Sequence, residues 1–172
     1  MKRGKFLVLF LLMACSSPKI VYDYDVKTNF SQYKTFDFFE DVGEGLNELD
    51  VKRIVFEVEK NLNEQGFKKS DNPDFYINVI SKFSEVTSRN SLGIGIGSGG
   101  RNVGWGVSGG IPINQAKLRQ QLTIDFVESE SNDLFWQGIS ESTINEQTTP
   151  QERDVYYQNL IQKIIKGYPP KK

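Results

Sequence analysis

Residues 118–165 read LRQQLTIDFVESESNDLFWQGISESTINEQTTPQERDVYYQNLIQKII, and this stretch decides the fold. Its first half alternates. Leu118, Leu122, Ile124 and Phe126 mark one strand, and Phe135, Trp136 and Ile139 mark a second. Apolar residues two apart share one face of an extended chain, so each strand has a side to bury. Ser129 to Asp133 between them is a five-residue hairpin loop, which makes the pair antiparallel. The second half changes period. Thr149-Pro150-Gln151-Glu152 is a capping box with proline at the first helical position, and Tyr157, Leu160, Ile161, Ile164 and Ile165 then recur at helical spacing. Gly167 and Pro169-Pro170 end this helix. A hairpin followed by a helix with one apolar stripe predicts a helix laid on an antiparallel sheet.

Upstream, the same two periods return. Ile20 to Asp25 alternates, with Ile20, Tyr22 and Tyr24 on one side, and a turn through Lys27 to Gln32 leads to a second aromatic strand, Tyr33 to Phe39. A helix is predicted from about Asp50 to Gln65, with Val51, Ile54, Val55, Val58 and Leu62 as its stripe. Asn47 or Asp50 caps its start, and Gly66 suits a left-handed exit. Glu57, Glu59 and Glu64 lie off the stripe and read as its solvated face. Pro73-Asp74 opens a strand through Phe83, with Phe75, Ile77 and Val79 on one face. The expected fold is therefore α+β: a largely antiparallel sheet with two helices on one face, in the order β-β-α-β-(Gly-rich hairpin or loop)-β-β-α, as a single domain over 20–168.

Within that domain, nine of the 21 residues from Ser91 to Ile111 are glycine. Two G-x-G-x-x-G matches occur there, at Gly95, Gly97, Gly100 and at Gly104, Gly106, Gly109. A dinucleotide site needs the motif straight after a strand and opening a helix. Here Ile111-Pro112-Ile113-Asn114 runs on toward another strand, so no cofactor is expected. The stretch reads instead as a surface loop or hairpin with one bald face, and Ile94, Ile96, Arg101 and Trp105 are its candidate interaction residues.

The N-terminus carries a different signal. Lys2, Arg3 and Lys5 precede the apolar run Phe6 to Met13, and Leu12-Met13-Ala14-Cys15 closes it with the only cysteine in the chain. This is the layout of a secretory signal over 1–14 ending in a lipobox. Cys15 would be lipidated and become the mature N-terminus, with residues 15–19 as tether. The competing reading is an ordinary short anchor or a free thiol at the end of a cleaved signal, and Met13 is unusual inside a lipobox. Acyl chains on Cys15 would anchor the chain stably to a bacterial membrane, and the absence of an acidic residue after Cys15 favours the outer membrane, facing the periplasm.

Without the leader the chain has 18 basic against 22 acidic residues, a balance that speaks against nucleic acid and against a polybasic membrane contact beyond the anchor. There is no histidine, which removes the commonest general base and the commonest metal ligand. Cys15 is committed to the lipobox, so neither a thiolate nucleophile nor a zinc cage remains. No catalytic residue, metal site or enzymatic activity is expected. Trp136, between Phe135 and Ile139, reads as core.

Three stretches together resemble one family. Tyr24-Asp25-Val26-Lys27-Thr28-Asn29-Phe30-Ser31-Gln32-Tyr33-Lys34-Thr35-Phe36-Asp37-Phe38 is similar to its opening pattern. Gly66-Phe67 with Asn72-Pro73-Asp74-Phe75, and Asp133-Leu134-Phe135-Trp136-Gln137-Gly138, are similar to its later ones. The family is the bacterial lipoproteins catalogued as domain of unknown function 4136. The resemblance implies a lipid-anchored envelope protein of α+β fold with no assigned activity and no catalytic or ligand residues. The expected role is contact with an envelope protein partner, as an accessory or assembly factor. The alternative is a binding module for an apolar or glycan ligand, using Tyr22, Tyr24, Tyr33 and Phe39 on an aromatic sheet face.

Overall fold

The computed structural model describes residues 18–85, 117–145 and 147–171. Its elements are β1 (Lys19–Tyr24), β2 (Thr35–Phe38), α1 (Glu48–Glu64), β3 (Lys68–Lys69), β4 (Phe75–Glu85), β5 (Lys117–Glu128), β6 (Leu134–Asn145) and α2 (Pro150–Ile165). The strands form one six-stranded sheet in the order β1-β6-β5-β4-β2-β3. Beneath the expected order lies one addition, the two-residue β3.

Four strands pair antiparallel, β1 with β6, β6 with β5 and β5 with β4. The other edge is parallel, β4 with β2 and β2 with β3. Chain connectivity accounts for the switch: β2 reaches β4 through α1, and a crossover through a helix returns the chain in the same direction. The sheet is thus mixed, antiparallel over its long strands and parallel at its short edge.

Both helices lie on one face. Ile54, Val58 and Leu62 of α1 join Tyr157, Leu160, Ile161, Ile164 and Ile165 of α2 in one core with Phe75, Ile77, Leu122, Ile124 and Phe126 of the sheet. Burial of side chains this size stabilises by about 2 kcal/mol each relative to exposure. The α2 stripe is the one its periodicity predicts, and Thr149 and Glu152 close the capping box. In α1 the cap is Asn47, whose side chain accepts from the amide of Asp50. Gly66 leaves the helix at φ +93°, where no other residue enters at low cost.

Two sequence readings need correction. Glu57 is only 9% exposed rather than on the solvated face of α1, and its Oε2 is buried with the Lys60 ammonium 3.8 Å away. The strand at Phe135 does not alternate. Phe126 pairs with Trp136 while Val127 pairs with Leu134, which leaves Phe135 as the extra residue of a β-bulge. The bulge turns both Phe135 and Trp136 into the core, where they are 3% and 0% exposed.

Candidate functional site

Cys15 and the candidate interaction residues Ile94, Ile96, Arg101 and Trp105 lie outside the described residues, as does the whole Gly-rich stretch 91–111. The chain between β4 and β5 leaves and returns at the end of the sheet where Glu85 pairs with Leu118. The four rings of the aromatic-face reading do not form one surface. Tyr33 is core, stacked on Phe135 at 4.2 Å. Tyr22 lies on the helix side, its ring against Gly167 and its hydroxyl donating to the carbonyl of Lys163 at 2.8 Å. Tyr24 meets Phe30 edge-on, and Phe39 pairs with Tyr76 at the opposite edge of the sheet.

The three motif stretches instead meet one another. The carboxylate of Asp74 accepts from the amides of Lys34 at 2.7 Å and Thr35 at 2.8 Å, which ties the strand opener to the first motif. Burial raises the Asp74 pKa, but those amides outweigh it and hold the carboxyl below its ordinary value. Phe75, next in sequence, meets Tyr33 edge-on at 5.8 Å, Phe135 at 5.6 Å and Phe126 at 4.9 Å. Trp136 lies 4.6 Å from Phe126, over Gly138, where a Cβ would stand 2.7 Å from the indole and from Ile164. Tyr168, just past α2, completes the cluster with its hydroxyl buried and unpartnered. Tyr33, Asp74, Phe75, Phe135 and Trp136 each have a packing or backbone task here.

The other end of the sheet is polar. Gln120 of β5 is fully buried, and its amide donates to Ser81 Oγ at 3.0 Å and to the Tyr157 hydroxyl at 3.3 Å. Its carbonyl accepts from the Tyr156 hydroxyl at 2.8 Å, which also meets Ser142 Oγ at 2.6 Å. Burial raises the pKa of both tyrosines, so both hydroxyls stay protonated. Nearby, Asp50 is 2% exposed and binds Arg53 at 3.1 Å and Arg153 at 2.5 Å, joining the starts of α1 and α2.

Two concavities of opposite charge mark the two ends. At the motif end a cleft of about 590 Å³ is lined by Asp71, Asp74, Glu128 and Glu130. Its inner carboxylates are already taken, Asp74 by amides and Glu128 by the hydroxyls of Tyr33 and Ser131. At the polar end a groove of about 680 Å³ opens where β1 begins at Lys19, opposite Glu141; among the described residues the rest of β6 has no strand partner on that side. Lys19, Arg119 and Lys163 line it against one carboxylate, Glu141.

The remaining surface is the sheet face away from the helices. Val21, Ile139, Thr123 and Ile80 stand side by side across four strands. Val21 is 50% exposed and the others are half-buried. The next row is polar, Asp23, Gln137, Asp125 and Asn78, with Gln137 donating to Asp125 at 2.7 Å. Partial burial raises the Asp125 pKa. Among the described residues no group of three acidic side chains converges as a metal site, and no helix is long and apolar enough to cross a membrane.

The family model described as Domain of unknown function (DUF4136) matches residues 20–170, and the chain belongs to that family. No curated protein matches it. Among solved structures, a PDZ domain protein from Parabacteroides distasonis is 16% identical with a TM-score of 0.56, over 89% of this chain and 36% of that one. This chain thus spans about a third of that protein. The PelC dodecamer from Paraburkholderia phytofirmans is 7% identical with a TM-score of 0.53, over 91% of this chain and 100% of that one. A DUF4136 family protein from Bacteroides thetaiotaomicron is 12% identical with a TM-score of 0.47, over 87% and 92%. At such identities the likeness to the first two shows the fold alone.

Proposed function

We propose, for this member of the DUF4136 family, a lipid-anchored role in the bacterial cell envelope: the chain is exported, held at Cys15 and active through protein contacts, as an accessory or assembly factor. What carries the reading is the sheet face that no described helix covers, where Val21, Ile139 and Ile80 with Thr123 form a mainly apolar row bordered by a polar one. Burying one face of a sheet completes the core; a second face with exposed apolar side chains gains from a partner. The inner carboxylates of the acidic cleft, Asp74 and Glu128, are already engaged by amides and hydroxyls, which supports a contact role over chemistry there. The same fold occurs as a dodecamer in PelC, which makes a second copy of this chain the first partner to test.

The test is the mass of assemblies formed by the detergent-solubilised full chain, with and without Val21→Asp and Ile139→Asp. Val21 is half exposed on an edge strand, so Val21→Asp should keep the wild-type melting curve; half-buried Ile139→Asp should stay folded with a lower midpoint, and both should lose the assembly or the recovered envelope partner. A wild type that stays monomeric and recovers no partner overturns the contact role. Separately, Cys15→Ser should abolish fatty-acid labelling; labelling that survives it overturns the anchor.

A further inference from the structure

We infer that the groove at the start of β1 is a site for the anionic head group of a membrane lipid. The inference rests on the anchored reading above, and three observations lead to it. The first is charge. In a chain with more acidic than basic residues overall, this groove gathers Lys19, Arg119 and Lys163 around a single carboxylate, Glu141. Among the described residues neither Lys19 nor Arg119 makes an ion pair, whereas Arg53 and Arg153 are committed to Asp50. A guanidinium and ammonium groups facing one cavity suit a phosphodiester, which the guanidinium can take through two parallel hydrogen bonds.

The second observation is shape. The groove wraps the edge of β6 because β1 begins at Lys19, so Arg119 and Glu141 come from the open face of the sheet and Lys163 from α2. Pro18, Leu160 and the ring of Tyr156 add apolar wall beside the cations. A volume of about 680 Å³ holds a head group together with its glycerol, more than a bare ion needs.

The third is position. Pro18 lines the groove and stands three residues after Cys15. Three extended residues span about 10 Å, and charges interact over about 8 Å at physiological salt. An acylated Cys15 therefore holds this groove within reach of the bilayer surface. The acidic cleft lies at the opposite end of the sheet, beside the β5–β6 hairpin, so an anionic surface attracts the tethered end and repels the far one. The site would fix how the domain stands on the membrane and hence which way its open sheet face points.

Native mass spectrometry of the detergent-purified full chain tests this, titrated in turn with phosphatidylglycerol, phosphatidylcholine and inorganic phosphate. One phosphatidylglycerol should be retained at least roughly tenfold more tightly than phosphatidylcholine. Arg119→Gln and Lys19→Gln, both in solvent-lined positions, should each weaken it about five- to tenfold while leaving the melting curve unchanged. Equal retention of the two lipids overturns the site, as do unchanged affinities in both variants. Phosphate held as tightly as phosphatidylglycerol overturns the lipid as occupant. The intact mass of the same sample reports acylation of Cys15. A chain without acyl mass that still selects phosphatidylglycerol refutes the anchor and keeps the groove; an acylated chain with no selectivity does the reverse.

Discussion

Around Phe75 the sheet meets the segments that follow the two helices, Phe67 and Tyr168, ring against ring; around Gln120, six residues back along β5 from Phe126, sheet and α2 meet through hydrogen bonds. The difference shows in what each end leaves unsatisfied. Within the aromatic cluster the Tyr168 hydroxyl and Trp136 Nε1 are buried without a partner. Stacked rings gain enough from area and contact to carry two such groups, each costing about 1–3 kcal/mol. The Gln120 network has no comparable surplus, and every hydrogen-bonding group of Gln120 that meets protein is matched. Apolar contact is non-directional and tolerates an unmet group. A buried amide is directional, so its neighbours are set by it.

The strongest way to break the contrast is Phe75→Ala. It removes the ring that touches Tyr33, Phe67, Phe126 and Phe135 at once, and should cost about 3–5 kcal/mol in urea unfolding. A cost below that of an ordinary half-buried truncation would mean that the aromatic end does not hold the fold.

Gln120→Ala comes next, at about 2–3 kcal/mol, because it removes at once the amide that meets Ser81 and Tyr157 and the acceptor of Tyr156. The sharper readout is coupling. In a double-mutant cycle with Tyr156→Phe the two losses should be less than additive, since both delete the same bond. Strict additivity would show that the network is a set of independent contacts.

Asp74→Ala should cost about 1–2 kcal/mol at neutral pH by releasing the amides of Lys34 and Thr35. The folded-state pKa of Asp74 lies below its ordinary value, so its contribution is complete above the unfolded value. The gap between wild type and variant should therefore close as pH falls below about 4. A gap that persists in acid would show that the carboxylate charge is not what the amides read.

The smallest effect distinguishes the two ends by sign. Tyr168→Phe removes an unpartnered buried hydroxyl and should raise stability by about 1 kcal/mol. Tyr156→Phe removes a hydroxyl bound to Gln120 and Ser142 and should lower it by about as much. Thermal unfolding of both settles the comparison, and the same sign in both would abolish it.

Much of the fold is legible along the chain because the signals are local. The α2 stripe and its capping box lie within 17 residues and need only helical periodicity and one turn of backbone. The strands at Phe75 and Leu118 announce themselves by alternation. The bulge at Phe135 does not, since a bulge is a mismatch of count between two strands rather than a property of either. Nor does β3, two lysines whose only strand character is their pairing with Thr35 and Phe36.

The resemblance by motif picked out real neighbours without saying why they matter. Tyr33, Asp74 and Phe135 lie 41 to 102 positions apart in sequence yet touch, or share partners, at one end of the sheet. The chain by itself determined the two helices, the long strands and the face that α2 and the strands at Phe75 and Leu122 bury, because periodicity and capping act over a few residues. Only the tertiary structure decided that Glu57 and Gln120 would be buried, that Lys19, Arg119 and Lys163 would line one groove, and that both described helices would share one sheet face. Each of these depends on register and on partners dozens of residues away, and side-chain burial has no meaning until those partners arrive.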